Sequence, residues 1–332
     1  MKKYISMMVV CLAILSSCTN EDISVGNLVT VKVNPSGVIA PFEYEMNPGD
    51  LENISESHKL RTRIFVYDKD GLLKASETQY LAGYSNIMTS SLELPKGTYT
   101  AIAITDVVEM SSSDVTFEYW NVSGEDVISQ LMVTDAGYIG YKNKILGVGK
   151  QTISVGDKNG EFMVKCSAAG AVCLVYYCNI HTFSDVEQYG VLMTKTSDNI
   201  SFNESGNYDV SIESSGTNFS WWLGKLSPKD YSSYKNIYSY LFVLPMSKVT
   251  LQFVADTDDD RYYLAEKSTM NLEAGREYLM MLDLDDEDYG ITSLFMELSD
   301  DNYAPQMRSL EQYVGKFDTQ MCNQSVYVKD LF

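Results

Sequence analysis

The chain has 332 residues, 45% of them hydrophobic, and a formal net charge of −20 at pH 7. This length and apolar content suit two domains of ordinary size, each with a core of its own. A surface this acidic repels nucleic acid and anionic membranes, so we expect neither as a partner.

The chain begins with a short targeting segment. Two lysines open it, an apolar run over residues 5–15 follows, and two serines precede Cys18. The run is too short to span a bilayer stably, and small residues before a cysteine are typical of a bacterial lipoprotein signal. We therefore predict a signal peptide over residues 1–17 and acylation of the Cys18 thiol. A plain secretory signal or a short membrane anchor is the alternative.

An acidic tether is predicted over residues 18–26, because Glu21 and Asp22 follow the acylated cysteine. Acidic residues at this position are similar to the export signal that sends lipoproteins of Bacteroidia to the outer face of the outer membrane. A solvated tether would have the same composition without any export role. We expect an outer-membrane protein that is held by the Cys18 lipid and faces the cell exterior.

From Asn27 onward the sequence predicts short strands separated by turns. Val29, Val31 and Val33 alternate with polar residues, which is the period of a half-buried strand. Another strand begins at Leu60 and ends in a hairpin turn at Gly71. Strand and turn recur every eight to twelve residues or so, a spacing typical of β-sandwiches.

The predicted architecture is all-β with two tandem sandwiches. A long polar connection over residues 35–59 follows the first strand, and loops of this length are often functional. Glycines just before residue 150, including Gly147 and Gly149, indicate a loop and an edge strand. The predicted units are an N-terminal β-sandwich domain over 27–150, a C-terminal β-sandwich domain over 151–288 and a C-terminal tail over 289–332.

Residues with catalytic or metal-binding chemistry are few. His58 and His181 are the two histidines, and neither lies in a Gly-x-Ser-x-Gly elbow or a His-Glu-x-x-His motif. Asp256, Asp258 and Asp260 alternate like calcium ligands, but an arginine occupies the position that requires glycine. We therefore predict no enzyme activity, no cofactor and no metal site. Carboxylates are plentiful enough that a glycosidase pair stays open.

Four cysteines follow the acylation site, and their disulfide state stays open. Cys173 and Cys178 are five residues apart, which places them on opposite faces of a strand and prevents a simple bridge between them. The other two are Cys166 and Cys322.

The tryptophans are candidate platforms for stacking on sugar rings. Adjacent Trp221 and Trp222 point to opposite faces of a strand, so one of them would be exposed, and Trp120 is the third candidate. Aromatic residues of β-sandwiches are more often part of the core. A glycan-binding surface lipoprotein of a nutrient-uptake system is therefore the alternative hypothesis.

The order of the motifs resembles the fimbrillin and fimbrial-anchor lipoproteins of Bacteroidia. The motifs are the lipoprotein signal, the first strand with its long loop, the strand over residues 60–68 with the Gly71 turn, and Leu94-Pro95-Lys96-Gly97-Thr98-Tyr99. The resemblance implies two transthyretin-like (Greek-key) β-sandwich domains and no enzyme activity. It also implies that a trypsin-like protease cuts after a basic residue beyond the first strand. A donor strand from a neighbouring subunit then fills the groove that this strand leaves.

The resemblance points to Lys59 or Arg61 as the cut site. It implies that the other fimbrial subunits are the partners and that the role is a fimbrial subunit, or an anchor or accessory subunit, in adhesion. Without the cut the protein would keep its lipid and resemble an anchor. The candidate donor strand consists of Ser325, Val326, Tyr327 and Val328.

Overall fold

The computed structural model describes most of the chain. Within the described residues the protein is all-β, which confirms the predicted fold class. The helical elements there are single 3₁₀ turns at Ser36–Val38, Ala40–Phe42 and Ile128–Gln130, and no described helix is long and apolar enough to cross a membrane. The described ranges are 27–42, 54, 56–136, 144–178, 186–193, 197–212, 219–225, 236–257, 262–264, 267–285, 290–298, 319–321 and 327–328.

The first half of the chain forms a large sheet with the order β3-β2-β5-β9-β10-β1-β4, to which β6 adds beside β5. The predicted hairpin is confirmed as β2 and β3, with Gly71 at φ 76° in its turn. The strands are β1 (Asn27–Asn34), β2 (His58–Tyr67), β3 (Leu73–Leu81), β4 (Met88–Leu94), β5 (Gly97–Ser111), β6 (Asp114–Glu118), β7 (Trp120–Ser123), β8 (Met132–Asp135), β9 (Leu146–Val155) and β10 (Gly160–Ala168).

The second half contributes two further sheets, β21-β20-β11-β16-β22 and β18-β17-β12-β15-β23, with β19 beside β17. The strands are β11 (Ala171–Cys178), β12 (Val186–Met193), β13 (Ser197–Phe202), β14 (Tyr208–Ile212), β15 (Phe219–Lys225), β16 (Asn236–Val243), β17 (Met246–Thr257), β18 (Tyr262–Leu264), β19 (Ser268–Leu272), β20 (Glu277–Asp285), β21 (Gly290–Leu298), β22 (Thr319–Met321) and β23 (Tyr327–Val328).

The sheet that contains β11 is buried on both faces. Val172 and Leu279 belong to the core of the first half, whereas Cys173 and Val175 belong to the core of the second half. A strand that is covered on both sides requires apolar residues at every position, which explains the uninterrupted apolar sequence of β11. The two cores therefore lie on opposite sides of one shared sheet.

A fourth sheet, β14-β13-β8-β7, joins strands from both halves. Ile200 and Phe202 of β13 are buried in the core of the first half. Lys150 Nζ also donates a hydrogen bond of 2.8 Å to Asn207 Oδ1 beside this sheet. The hairpin β13–β14 thus fastens the second half of the chain to the first.

The predicted boundaries do not coincide with the division between the sheets. The boundary between residues 150 and 151 falls inside β9, which pairs with β5 on one side and β10 on the other. The strand β9 is therefore a central strand and not the edge strand that the sequence predicts before residue 150. The predicted tail over 289–332 begins just before β21, which pairs along its whole length with β20. Residues 290–298 consequently belong to the sheet.

A buried ion pair joins β2 to β5. Arg61 and Asp106 are directly opposite each other in the antiparallel register, and Asp106 is 0% exposed. The guanidinium donates bonds of 3.0 Å and 2.6 Å to the two carboxylate oxygens and one of 2.9 Å to the Trp120 carbonyl oxygen. Burial alone would lower the pKa of Arg61, but the charges and hydrogen bonds of Asp106 and of Glu118, which lies 2.9 Å from the guanidinium, together raise the pKa.

Replacing Asp106 by Asn should cost about 3 kcal/mol in free energy of unfolding, because the buried Arg61 guanidinium then keeps only the partly exposed Glu118 as a counter-charge. Urea unfolding of the full chain measures this loss. Asp70→Asn, in the exposed pair with Lys69, is the matched control and should cost at most about 0.5 kcal/mol. Equal losses in the two variants would contradict the buried ion pair.

The free thiols of Cys166 and Cys173 are buried, and burial raises the pKa of the Cys166 thiol to about 12. Unfolded thiols ionise near pH ~8.5, so above this pH the unfolded state loses a proton that the folded state keeps. The free energy of unfolding should therefore fall as pH rises from about 9 to 11, by up to ~1.4 kcal/mol per pH unit for each thiol. Urea unfolding across this range should give a smaller slope for Cys166→Ala than for the parent chain. An unchanged slope would show that the thiol ionises equally in both states.

Candidate functional site

The strand β1 occupies the gap between β10 and β4. It runs parallel to β10 from Val29↔Gly160 to Asn34↔Lys165 and antiparallel to β4 from Asn27↔Leu94 to Val33↔Met88. Both of its backbone edges are therefore hydrogen-bonded. Within the described residues β4 has no strand partner other than β1, so loss of β1 would detach one edge of the sheet.

The side chains of β1 confirm the predicted alternation. Val29, Val31 and Val33 are 0% exposed and enter the core. On the outer face Lys32 Nζ lies 2.7 Å from Glu161 Oε1 of β10, and both side chains are partly exposed. The inner face thus presents three small apolar side chains to the sheet, and the outer face carries one ion pair.

The segment after β1 inserts into the same core. Val38 and Phe42 of the two 3₁₀ turns are 0% exposed. Two glycines admit the segment: a Cβ on Gly37 would lie 2.6 Å from the Cys166 carbonyl oxygen, and one on Gly147 would clash with Val38 Cγ2. Residues 27–42 therefore pack as one unit, which we call the first-strand unit.

The first-strand unit contributes a large part of the burial in its half of the chain. Five of its apolar side chains are 0% exposed: Val29, Val31, Val33, Val38 and Phe42. Burial of these side chains is worth on the order of 10 kcal/mol, which is comparable to the total stability of an ordinary domain, about 5–15 kcal/mol. A chain that loses this unit must fill the vacancy with another segment to remain folded.

The candidate cut sites lie in β2 and not in the connection that precedes it. Residues 35–57 contain no Lys or Arg, so Lys59 and Arg61 are the first basic residues after β1. Arg61 is 4% exposed and bound to Asp106. Lys59 is half-buried and is the second residue of the strand. A protease needs an extended, accessible backbone, and the first residues of a strand open far more readily than a buried ion pair breaks.

The prediction of Trp120 as an exposed platform is wrong. This side chain is 1% exposed, and its Nε1 donates a hydrogen bond of 2.6 Å to the Lys144 carbonyl oxygen. Its ring is part of the first core, where it packs edge-on against Phe242. In β15, Trp221 and Trp222 are placed opposite Val191 and Gly190 of β12, and their role on glycans stays a prediction.

Half of the candidate donor strand has a partner within the same chain. Tyr327 and Val328 form β23, opposite Trp221 and Ser220 of β15. Ser325 and Val326 lie outside the described residues, as do the Cys18 acylation site and the aspartates at 258 and 260. Donation to another subunit stays a prediction.

No grouping of three or more His, Cys, Asp or Glu side chains suited to a metal ion occurs among the residues that the structure describes. His58 lies at the start of β2, where its Nε2 is 3.3 Å from Glu109 Oε1.

The sequence reasoning missed Glu161, Val38 and Phe42. Only their positions opposite β1 or beneath it give them a role, and the sequence carries no local sign of it.

No family model matches the chain, and no curated protein matches it. Solved structures do match. A candidate polysaccharide-binding protein from Bacteroides thetaiotaomicron is 10% identical with a TM-score of 0.50, and the match covers 83% of this chain and 99% of that one. A candidate adhesin from Bacteroides ovatus is 11% identical with a TM-score of 0.50, and the match covers 85% and 97%. This chain shares their fold.

The resemblance inferred from the sequence is thus confirmed at the level of the fold. The fimbrial anchor protein Mfa2 from Porphyromonas gingivalis also matches, with 11% identity, a TM-score of 0.46, and coverage of 82% of this chain and 97% of that one.

Replacing Val31 by Ala should lower the free energy of unfolding by about 2 kcal/mol or more, because it removes buried methyl groups and leaves a cavity in the core beneath β1. Urea unfolding measures the change. Thr30→Ala, on the outer face of the same strand, is the control and should cost less than about 0.5 kcal/mol. If the two variants lose the same stability, β1 does not occupy this place in the sheet.

Proposed function

We propose that the protein is a non-enzymatic adhesion protein of the cell surface, a fimbrial subunit or anchor that the Cys18 lipid holds on the outer membrane. The observation that carries the proposal is the placement of β1, an N-terminal strand that completes a sheet from between two other strands. The fold shared with a Bacteroides candidate adhesin supports it. So does the sequence, which resembles fimbrial lipoproteins in its signal, its first strand and the long connection after it.

Assembly by strand addition follows from this placement. If β1 leaves, β4 and β10 each expose a row of unpaired backbone groups, and the core loses its valine side chains. An incoming strand can satisfy both needs at once, since it supplies hydrogen bonds along both edges and side chains at every second position. Because release of β1 exposes a large apolar surface, β1 leaves the sheet at a reasonable cost only when another strand takes its place.

Lys59 is the better of the two cut sites. Cleavage there requires opening of only the first residues of β2, whereas cleavage after Arg61 requires separation of a buried ion pair. In a chain that is not cut, β1 stays in place and the lipid stays attached. That form suits an anchor or accessory subunit, whereas the cut form suits a subunit within a polymer.

Glycan binding by a nutrient-uptake lipoprotein is the second candidate. It is favoured by the shared fold with a candidate polysaccharide-binding protein. One of the three aromatic residues proposed to stack on sugars is excluded, because Trp120 is buried. Trp221 and Trp222 remain the residues through which it would act.

The deciding experiment is the mass and N-terminus of the protein recovered from cell-surface polymers and from the membrane. We expect a species that begins after Lys59 in the polymers and an acylated species that begins at Cys18 in the membrane. Lys59→Gln should abolish the shorter species and the polymers, whereas the control Lys69→Gln, at an exposed lysine in the β2–β3 turn, should change neither.

Polymers built from chains that still begin at Cys18 would contradict release of β1. If only an acylated species is found and no polymers form, the protein acts as a membrane-held anchor and not as a subunit of a polymer. In that case retention on a glycan column that is lost in Trp221→Ala and Trp222→Ala would establish the second candidate instead.

A further inference from the structure

The fourth sheet ends in a strand that pairs on one side. Among the residues that the structure describes, β14 has no strand partner other than β13. Natural proteins usually guard a sheet edge with several charges, a proline or a cover, because an open edge can pair with another strand. The five residues of β14 include no proline, and Asp209 is the charged residue among them. This edge is therefore suited to accept a further strand.

The backbone groups of Tyr208 and Val210 point to the free edge of β14. Phe202, which lies opposite Tyr208, donates its backbone N–H to the Leu131 carbonyl oxygen on the other side of β13. Phe202 and Tyr208 therefore form a non-hydrogen-bonded pair, and successive residues of a strand direct their backbone groups to opposite sides. Positions 208, 210 and 212 thus point outward, whereas positions 209 and 211 bond to β13.

We propose that β14 of a second copy pairs antiparallel with this edge, about a two-fold axis that passes between the two Val210 residues. Val210 then faces Val210 of the second copy, Tyr208 faces position 212, and Asp209 faces Ser211. The positions that point outward meet one another, so backbone hydrogen bonds can form on both sides of the axis. Neither copy gives up a strand, and the inference is independent of the proposed function.

The register follows from the length and the alternation of β14. A two-fold axis at position 209 or 211 would bring together residues whose backbone groups already bond to β13. An axis at position 208 or 212 would leave much of each strand outside the pairing. An axis at Val210 pairs all five residues, and it joins the fourth sheets of the two copies into one continuous sheet.

The side chains of the two copies are compatible in this register. Val210 and Tyr208 are partly buried against the core of the first half, and the two Val210 side chains would cover apolar surface that each leaves exposed. On the other face, exposed Asp209 lies across from exposed Ser211, whose hydroxyl can donate a hydrogen bond to the carboxylate. Within the five paired positions, no like charges face each other.

Three other sheet edges lack this self-complementarity. A two-fold axis at the centre of β3 would place Glu77 opposite itself, and one at the centre of β6 would place Asp114 opposite Glu118. Like charges directly opposite each other are destabilising. The free side of β4 is partly occupied, because Gln79 Nε2 donates a hydrogen bond of 2.8 Å to the Thr89 carbonyl oxygen.

The contact is small, so we expect weak and reversible association. Five residues from each copy are far fewer than the roughly 20–30 residues on each side of a standard interface. The net charge of −20 on each chain also opposes association. We expect a dissociation constant between about 10 μM and 1 mM, which should decrease as added salt screens the repulsion between the chains.

Sedimentation velocity of the full chain over a range of concentrations tests the contact. Ser211→Asp places carboxylates opposite each other on both sides of the axis and should weaken association about fivefold, whereas Ser211→Lys should strengthen it about two- to fivefold. Ser123→Asp and Ser123→Lys are the matched controls, at an exposed serine of β7 on the opposite edge of the same sheet. They should change the dissociation constant less than about twofold.

Disulfide formation tests the register. In the proposed dimer Asp209 and Ser211 of the second copy form a non-hydrogen-bonded pair with Cα atoms about 4.5 Å apart, which a disulfide can bridge. Asp209→Cys chains mixed with Ser211→Cys chains should therefore give a disulfide-linked dimer. Either variant alone should give no more than the parent chain, because identical positions form a diagonal pair about 7–8 Å apart.

Three results would overturn the inference. The first is a chain that stays monomeric at every concentration up to about 1 mM. The second is a dimer whose dissociation constant changes in neither Ser211 variant, because such a dimer uses another surface. The third is a disulfide yield in the mixture that equals the yields of the separate variants, because the two strands then do not meet about Val210.

Discussion

The backbone pairing of β1 on both of its edges is the constraint on which the account depends. An N-terminal strand that lay at an edge could leave without effect on the rest of the sheet. This strand lies between β10 and β4, and its valines, together with Val38 and Phe42, fill the core beneath. Its loss therefore exposes hydrogen-bonding groups and apolar surface in the same place. A strand of similar chemistry is the replacement that restores both.

The remainder of the fold is suited to survive such an exchange. The sheet of β11, β16 and β20 is buried on both faces and belongs to both cores, and the hairpin β13–β14 extends from the second half of the chain onto β8. The Arg61–Asp106 pair joins β2 to β5 on the side of the first sheet away from β1. These contacts do not involve β1 and, with the pairing of β10 to β9, they hold one side of the groove, whereas β4 has no strand partner other than β1 among the described residues and depends on the replacement strand.

Local patterns in the sequence were sufficient for the all-β class, the alternation of β1 and the hairpin at Gly71. They were insufficient wherever distant segments meet. Gly147 and Gly149 indicated a loop and an edge strand, but they are small because Val38 and the Lys165 carbonyl pack against them in a central strand. Trp120 is a residue type that can stack on sugar rings, but its side chain is buried in the core. The parallel pairing of β1 with β10, across about 130 residues of sequence, leaves no local signal, and neither does the ion pair of Lys32 with Glu161.

The most direct measurement is a cryo-electron microscopy map of polymers recovered from the cell surface, at a resolution that identifies side chains. The account predicts that the strand between β4 and β10 comes from a neighbouring chain. Residues 27–34 of the same chain, still in place between β4 and β10 within a polymer, would contradict it.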